Sequence, residues 1–413
     1  MALSRMQPSS YPMVSVEEAI EMVLAHTRAL ASEEIRLDDA LGRVLAEDVS
    51  AHDDMPPFAA SAVDGYAVVA ADGDGPRRVL SEIIAGTADL PTVVPGTTAR
   101  IMTGAPLPPG ADAVIMVEQT VESDGLMKTT ASPRSGDNVY PRGLDVADGQ
   151  VVLSAGSVLG AAEVGVLATV GHSRLKAFRR PVVAVLSTGD ELIEPDQPLR
   201  PGAIRDSNRS TLLASIREAG GVPLSLGSVA DDESAQEEMI RSGLRQADVV
   251  LTSGGVSVGS RDLIKPILGH MGTVHFGRVS FKPGKPTTFA TVGEQLVFGL
   301  PGFPVSSLVS FEVFVRPALR KLQGYPRLHR TVGQVILAHA ISPSPDRPEY
   351  QRATVRWERG NLVARSTGAQ RSSRLLSLVG ANALLRIPPG TRLLPAGGTV
   401  DALLTGEVLP AED

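Results

Sequence analysis

Residues 247–262 read Ala-Asp-Val-Val-Leu-Thr-Ser-Gly-Gly-Val-Ser-Val-Gly-Ser-Arg-Asp. Val249, Val250 and Leu251 form the short apolar run of a strand covered on both faces. The run empties into a loop carrying Gly254, Gly255 and Gly259 together with Thr252, Ser253 and Ser257. Glycines admit positive φ and close backbone approach, so successive N–H groups can converge on one anion, aided by the N-terminus of a helix expected to start near Ser260. An ordinary strand-to-helix turn needs fewer glycines, so the loop reads as a phosphate site. It is not a Walker A loop, because no Gly-Lys-Ser/Thr follows, and its glycines are spaced wrongly for the dinucleotide fingerprint.

Outward from this loop, the segment 179–328 alternates strand, loop and helix. Strands are expected at 182–186, 223–229, 249–252, 274–281 and 296–299, with a helix at 207–219 ending on Gly220-Gly221. Such alternation predicts a doubly wound, mostly parallel sheet whose ligands sit beyond the carboxyl ends of the strands. The chemically loaded runs follow the strands: Ser187-Thr-Gly-Asp-Glu191, Asp231-Asp232, Ser253-Gly-Gly255, Lys282-Pro-Gly-Lys285 and Leu300-Pro301-Gly302. In Lys282-Pro283-Gly284-Lys285 the Pro-Gly pair predicts a type II turn, bringing the lysine Cα atoms within about 7 Å so that both ammonium groups reach one anion. A solvent-facing turn lysine contributes little to folding, so loss of Lys282 is expected to spare stability. Carboxylates repel phosphate unless a divalent cation intervenes, and Glu191, Asp231 and Asp262 therefore read as Mg²⁺ ligands. Asp232 reads equally well as the N-cap of the following helix.

Ser15-Val-Glu-Glu18 is a capping box opening a helix with Ala19, Ile20, Val23 and Leu24 on one face. Residues 51–145 turn to Pro- and Gly-punctuated strands, and 146–178 return to helix-like spacing. The expected organisation is therefore an α/β multidomain chain. A helix-rich linking domain (1–50 and 146–178) is interrupted by a β-rich insertion (51–145), then come the α/β domain (179–328) and a small C-terminal β-barrel (329–413). In the insertion, Asp64-Gly65 reads either as a hairpin turn or as part of a site. The 413 residues carry a formal charge of −7, which argues against bulk nucleic-acid binding. The complete lack of cysteine excludes disulfides and thiolate chemistry supplied by the protein. No apolar run approaches the roughly 18 residues of a membrane span, so a cytoplasmic protein is expected. The seven histidines show no ligand spacing.

Several strings stand in one order: Asp64-Gly-Tyr-Ala67, Thr103-Gly-Ala-Pro106, Gly110-Ala-Asp-Ala-Val-Ile115, Ser187-Thr-Gly-Asp-Glu-Leu192, Thr252-Ser-Gly-Gly-Val-Ser-Val-Gly259, Lys282-Pro-Gly-Lys-Pro286 and Leu300-Pro-Gly-Phe-Pro-Val-Ser306. Together they resemble the molybdopterin molybdenumtransferase (MoeA) family, whose animal relative is the E domain of gephyrin, over nearly the whole chain. The resemblance implies an elongated homodimer with active sites shared between the α/β domain of one subunit and the β insertion of the other. It implies insertion of molybdate into the dithiolene of adenylylated molybdopterin, with Mg²⁺-dependent release of AMP. A molybdopterin adenylyltransferase would act upstream, and molybdoenzyme apoproteins or their chaperones downstream. By family position Asp64, Thr103, Glu191, Asp231, Asp262, Lys282 and Lys285 would be active-site residues, and Lys282, Lys285, Pro286, Arg352 and Ser372 would lie near the molybdate pocket. The chain departs from the family pattern at Phe303, where Asn is usual, at Tyr140-Pro141 and Leu144, and at Arg371-Ser372-Ser373. The α/β region alone also resembles the molybdopterin adenylyltransferase, and gephyrin offers a scaffold alternative.

Overall fold

The computed structural model describes residues 11–256 and 263–411. They gather into two compact units, one from residues before Glu34 and after Ala177, the other from Glu34–Ala177.

The first unit is built on a six-stranded sheet of β1 (Val182–Thr188), β2 (Val222–Val229), β3 (Val249–Ser253), β4 (Thr273–Phe276), β5 (Thr288–Val292) and β6 (Gln295–Leu300) in the order β2-β1-β3-β6-β5-β4. β1 pairs in parallel with β2 and β3, and β3 with β6 (Val183↔Val249, Val249↔Leu296). Alternate residues feed two cores. Val183, Val185, Val249, Leu251 and Phe298 face one side with Leu212 and Ile216, whereas Ala184, Leu186, Val250 and Val297 face the other with Ile240, Leu244 and Leu268. This two-sided burial is why the central strands are written as unbroken apolar runs. The chain leaves β1 towards β2 and returns on the opposite side as β3, so the loops after β1 and β3 part at a topological switch point.

The edge departs from expectation. The run anticipated at 274–281 ends as a strand at Phe276, and β5, not anticipated, pairs antiparallel with both β4 and β6. Gly293-Glu294 is the two-residue link of a hairpin, with Val292 opposite Gln295 and Gly293 at φ 61°.

Helix α1 (Val16–Ala25) has its capping box: Glu18 N–H donates to Ser15 Oγ at 3.1 Å and Ser15 N–H to Glu18 Oε2 at 2.7 Å. Although it was expected to open the linking region, α1 buries Val16, Ala19 and Val23 in the core of Val183, Val249 and Phe298. Its apolar stripe completes that face of the sheet. Helices α2 (Ser207–Glu218) and α3 (Glu233–Leu244) begin on Asp206 and Asp232. Asp232 accepts from Ala235 N–H at 2.8 Å, so its role as helix cap is the one observed. Helices α4 (Ile264–Met271) and α5 (Pro304–Ser310) complete the frame needed below.

Past Arg330, strands β7 (Val332–Leu337), β8 (Glu349–Glu358), β9 (Asn361–Ser366), β10 (Ala383–Ile387) and β11 (Thr399–Leu404) close a barrel in the order β7-β9-β8-β10-β11 around Val335, Val355, Ala364, Leu385 and Ala402. The barrel matches expectation.

The second unit holds a six-stranded sheet of Ala113–Met116, Gly65–Val68, Thr97–Ile101, Arg77–Ile83, Leu126–Thr129 and Thr120–Ser123, with Ala67, Ile83, Ala99, Ile101 and Val114 inside. A separate small core joins Leu45, Leu159, Leu167 and Leu175, with helix Ala161–Thr169 contributing Leu167. No helix among the described residues is long and apolar enough to cross a membrane.

The Asp232 cap gives a direct stability test. Asp232→Ala should cost about 1 kcal/mol in denaturant unfolding, and unfolding identical to wild type would contradict the capping role.

Candidate functional site

Three loops meet at the carboxyl end of the central strands. Gly254 (φ 98°) and Gly255 (φ 66°) follow β3, and a Cβ on Gly254 would stand 2.6 Å from the Thr188 carbonyl oxygen. On Gly255 it would meet Ile264 Cγ1 at 2.9 Å and Thr188 Oγ1 at 3.0 Å. Both positions therefore require glycine, by conformation and by space. Gly302, after β6, lies against Gly254, its Cβ position being 3.7 Å from the Gly254 Cα. Asn208, in the first turn of α2, ties these loops together by donating from Nδ2 to Ser253 Oγ at 2.8 Å and to the Gly302 carbonyl at 2.7 Å. Asn208 was read only as part of a helix. Its signal was a polar Asp206-Ser-Asn208 helix start at the ligand end of a sheet. The buried hydroxyls of Ser187, Thr188 and Thr252 have no hydrogen-bond partner among the described residues. Ser257, Gly259, Asp262 and the expected helix start at Ser260 lie outside the described residues.

The acids occupy the same edge. Asp190 Oδ1 accepts from Asp231 N–H at 3.2 Å, joining the loops after β1 and β2. Glu191 is exposed and folds its carboxylate over Gly189, where a Cβ would be 2.5 Å from Oε2. These are hard oxygen donors of the kind Mg²⁺ takes. No group of three His, Asp or Glu side chains placed to hold a metal ion exists among the described residues.

A second feature of the same unit is a cavity of about 860 Å³, lined by residues 281–286 and by Ser306, His339, Ser342, Arg347, Gln370 and Ser372 among others. It brings Lys282, Lys285, Pro286 and Ser372 together. The expected type II turn is not formed. The Lys282–Pro283 bond is cis, and the Lys282 carbonyl accepts from Tyr350 N–H at 2.7 Å instead of closing a turn on Lys285. The local turn lies two residues further on, with Thr287 N–H donating to the Gly284 carbonyl at 3.0 Å. Gly284 sits at φ 127°, and a Cβ there would be 2.3 Å from the Phe281 ring.

Lys282 is no free turn lysine. Its Nζ lies 3.2 Å from Oε1 of Glu349, which is only 3% exposed. Removing the ammonium would leave a buried carboxylate undercompensated, so the expectation of unchanged stability fails. The cost should be about 1–2 kcal/mol after allowing for water around the half-exposed Nζ. Burial, then the charges of Arg278 and Arg347, holds the Lys285 ammonium below its ordinary pKa. Arg347 was missed by the sequence reading, although it precedes β8 in the same short run as Glu349.

Arg352 does not line the cavity. It is 1% exposed, donating from Nε to Ser377 Oγ at 3.1 Å and from Nη2 to the Arg371 carbonyl at 3.3 Å, while Gln370 Oε1 accepts from its backbone N–H at 2.9 Å. It holds the loop that presents Ser372. Burial, opposed by Glu349, brings its pKa down to about 10.

In the second unit, Asp64 Oδ1 accepts from Thr103 N–H at 2.7 Å and from Thr103 Oγ1 at 2.8 Å. These bonds, with Arg100, hold the exposed carboxyl below its usual range. Asp64-Gly65 is not a hairpin turn: Gly65 begins a central strand, where a Cβ would fall 2.0 Å from the Ile115 carbonyl oxygen. The two expected site residues therefore form one surface pair.

Family models match along the chain: the MoeA N-terminal region (domain I and II) at residues 14–171, a probable molybdopterin binding domain at 184–321, and the MoeA C-terminal region (domain IV) at 334–405. A molybdopterin molybdenumtransferase of Bacillus subtilis is 36% identical over 95% of this chain and 94% of its own length. The chain belongs to the MoeA family. A gephyrin from Dictyostelium discoideum is 36% identical over 97% of this chain, which spans 63% of that protein. The crystal structure of a molybdopterin biosynthesis MoeA protein from Pyrococcus horikosii has a TM-score of 0.83 at 31% identity, covering 96% of this chain and 100% of that one.

Phe303, the departure from the family's Asn, is the N-cap of α5, 59% exposed and without a side-chain capping bond. Phe303→Asn should raise stability by about 1 kcal/mol through an added cap. An unchanged or lower unfolding midpoint would show that this helix start gains nothing from a side-chain acceptor.

Proposed function

We propose that this MoeA-family chain is a molybdenum insertase of molybdenum cofactor biosynthesis, a transferase that places molybdate in the dithiolene of adenylylated molybdopterin and releases AMP. The observation that carries the reading is the cationic cavity beside Ser372, where Lys282, Lys285 and Arg347 are gathered in a chain of net charge −7. Cations concentrated on so acidic a protein favour a small dianion such as molybdate. At the glycine edge the Gly254 N–H is donated to the Leu300 carbonyl at 3.1 Å, so the phosphate groups of the pterin substrate would draw on the Gly255 backbone and on the unpartnered Ser187, Thr188 and Thr252 hydroxyls. Lacking cysteine, the chain leaves the sulfur ligands to the substrate. Mg²⁺, held by carboxylates such as Glu191 and Asp231, would shield phosphate oxygens from these acids and polarise the phosphoanhydride. The adenylyltransferase alternative leaves the matched regions 14–171 and 334–405 without a role. A cytoplasmic location, an upstream adenylyltransferase and downstream apoproteins or their chaperones belong to the same proposal.

The decisive assay supplies adenylylated molybdopterin, Mg²⁺ and molybdate. It should yield AMP together with a cofactor that activates a molybdenum-free apoenzyme, and AMP release should stop without Mg²⁺. ATP consumption in place of AMP release would favour the adenylyltransferase.

Lys285→Ala should weaken molybdate binding about tenfold or more, as expected for one charge-assisted contact. Equilibrium dialysis giving wild-type affinity would remove Lys285 from the anion site. The pH dependence has a definite sign. Lys285 loses its proton below the ordinary lysine value of 10.5, so molybdate affinity should fall as pH rises through that lowered pKa, and Lys285→Arg should retain affinity to higher pH. Alkaline profiles that coincide for the two proteins would contradict this.

The homodimer with shared sites is also a proposal, resting on the family resemblance of Asp64 and Lys282. Inactive Asp64→Asn and Lys282→Ala proteins, mixed under subunit exchange, should regain about a quarter of wild-type sites if each site draws on two subunits. Heterodimers without activity would confine each site to one subunit.

A further inference from the structure

Lys265, in the first turn of α4, is 4% exposed, and its Nζ donates to the Val256 carbonyl oxygen at 3.3 Å. Its neighbour Ile264 donates its backbone N–H to the Gly255 carbonyl at 3.4 Å. Two successive residues of α4 thus hold two successive carbonyls at the end of the glycine edge.

The surroundings are cut to fit this arrangement. A Cβ on Gly277 would stand 3.0 Å from Lys265 Cε and 3.1 Å from Cδ, so glycine there leaves room for the lysine stem. A Cβ on Gly299 would meet Val256 Cγ1 at 2.7 Å, so glycine in β6 makes room for Val256. Ile264 fills the space under Gly255. An ammonium is costly to bury, and an unbranched apolar side chain would fill the same channel at less cost. Among the interactions of the ammonium is a charge-assisted bond to the backbone that leaves Gly254-Gly255.

We propose that Lys265 is a positioning residue for the phosphate-bearing half of the substrate, fixing the Val256 carbonyl and thereby the Gly254-Gly255 turn, whose Gly254 N–H is held by the Leu300 carbonyl at 3.1 Å, beside the Thr188 hydroxyl that has no partner among the described residues. The inference rests on the function proposed above, which puts the phosphate groups of the substrate at this edge, apart from the cavity of Lys285. Lys265 acts through the backbone and does not touch the reacting atoms. Its loss should therefore appear in affinity rather than in the chemical step.

The test uses the full chain as Lys265→Met, which keeps the stem, and Lys265→Arg, which keeps a cationic donor. AMP binding is followed by equilibrium dialysis, and KM and kcat with adenylylated molybdopterin. In Lys265→Met, AMP affinity should fall about tenfold and KM should rise in parallel, with kcat changed far less; Lys265→Arg should recover most of the affinity. If Lys265→Met does not fold, Lys265→Gln takes its place in the same comparison. Wild-type affinity in the Met variant, or an Arg variant as impaired as the Met variant, would overturn the inference, the latter result assigning the loss to packing. Wild-type protein with neither AMP affinity nor turnover would overturn the function reading and this inference together, whereas normal wild-type turnover with an unaffected Met variant overturns this inference alone.

Discussion

Two backbone hydrogen bonds at Lys282 set the geometry on which the cavity depends. Its N–H donates to the Pro348 carbonyl at 2.9 Å, and its carbonyl accepts from Tyr350 N–H at 2.7 Å. The segment leaving the α/β sheet is thereby paired to the first residues of β8, the longest strand of the barrel, as a parallel bridge opposite Glu349. Lys282, Lys285 and Arg347 all hang from this seam, while Arg371 enters the cavity wall from the loop after β9. Lys282 reaches back to Glu349, Lys285 follows after Gly284, and Arg347 stands two residues before Glu349. The seam is braced from below by a buried clip in which Thr287 Oγ1 donates to the Gly284 carbonyl at 2.7 Å and lies 2.8 Å from Ser310 Oγ.

The electrostatics divide the unit's chemistry between two places. Carboxylates crowd the loops after β1 and β2, where Asp190, Glu191 and Asp231 are at least partly open to water. The lysines and Arg347 gather where the barrel meets the sheet, and burial, then the repulsion of Arg278 and Arg347, lowers the pKa of Lys285. An anion entering the cavity relieves that repulsion, which is the physical reason a site of this kind selects a compact dianion over a neutral ligand. Arg352 shows the complementary use of a cation. Sealed behind the wall, it spends its donors on Ser377 and the Arg371 carbonyl and shapes the loop that carries Ser372.

Much of this was legible in the sequence because it is written as local pattern. The apolar run Val249-Val250-Leu251, followed by Gly254-Gly255, gave both the covered strand and the edge that needs glycine, and the strand–helix alternation gave the doubly wound sheet. The capping box at Ser15 and the cap at Asp232 are signals between residues three apart, the first read outright and the second as one of two readings of Asp232. What stayed hidden depends on partners far along the chain. The Pro-Gly pair at 283–284 has a local preference for a type II turn, but pairing with Pro348 and Tyr350 claims the groups that such a turn would use. β5 was missed because it is short and lies in an antiparallel hairpin at the edge of a sheet otherwise read as parallel. Asn208 joins Ser253 to Gly302 across 45 and 94 residues, and no spacing rule reports such a bond.

The central claim is that the cavity beneath the Lys282 seam receives the oxyanion. Anomalous scattering at the molybdenum edge, from crystals of this protein soaked in molybdate, tests it most directly. The account predicts a single dominant peak within hydrogen-bonding reach of Lys285 Nζ and the Ser372 hydroxyl. A dominant peak at the Gly254-Gly255 edge, or ordered molybdate only elsewhere on the surface, would contradict it.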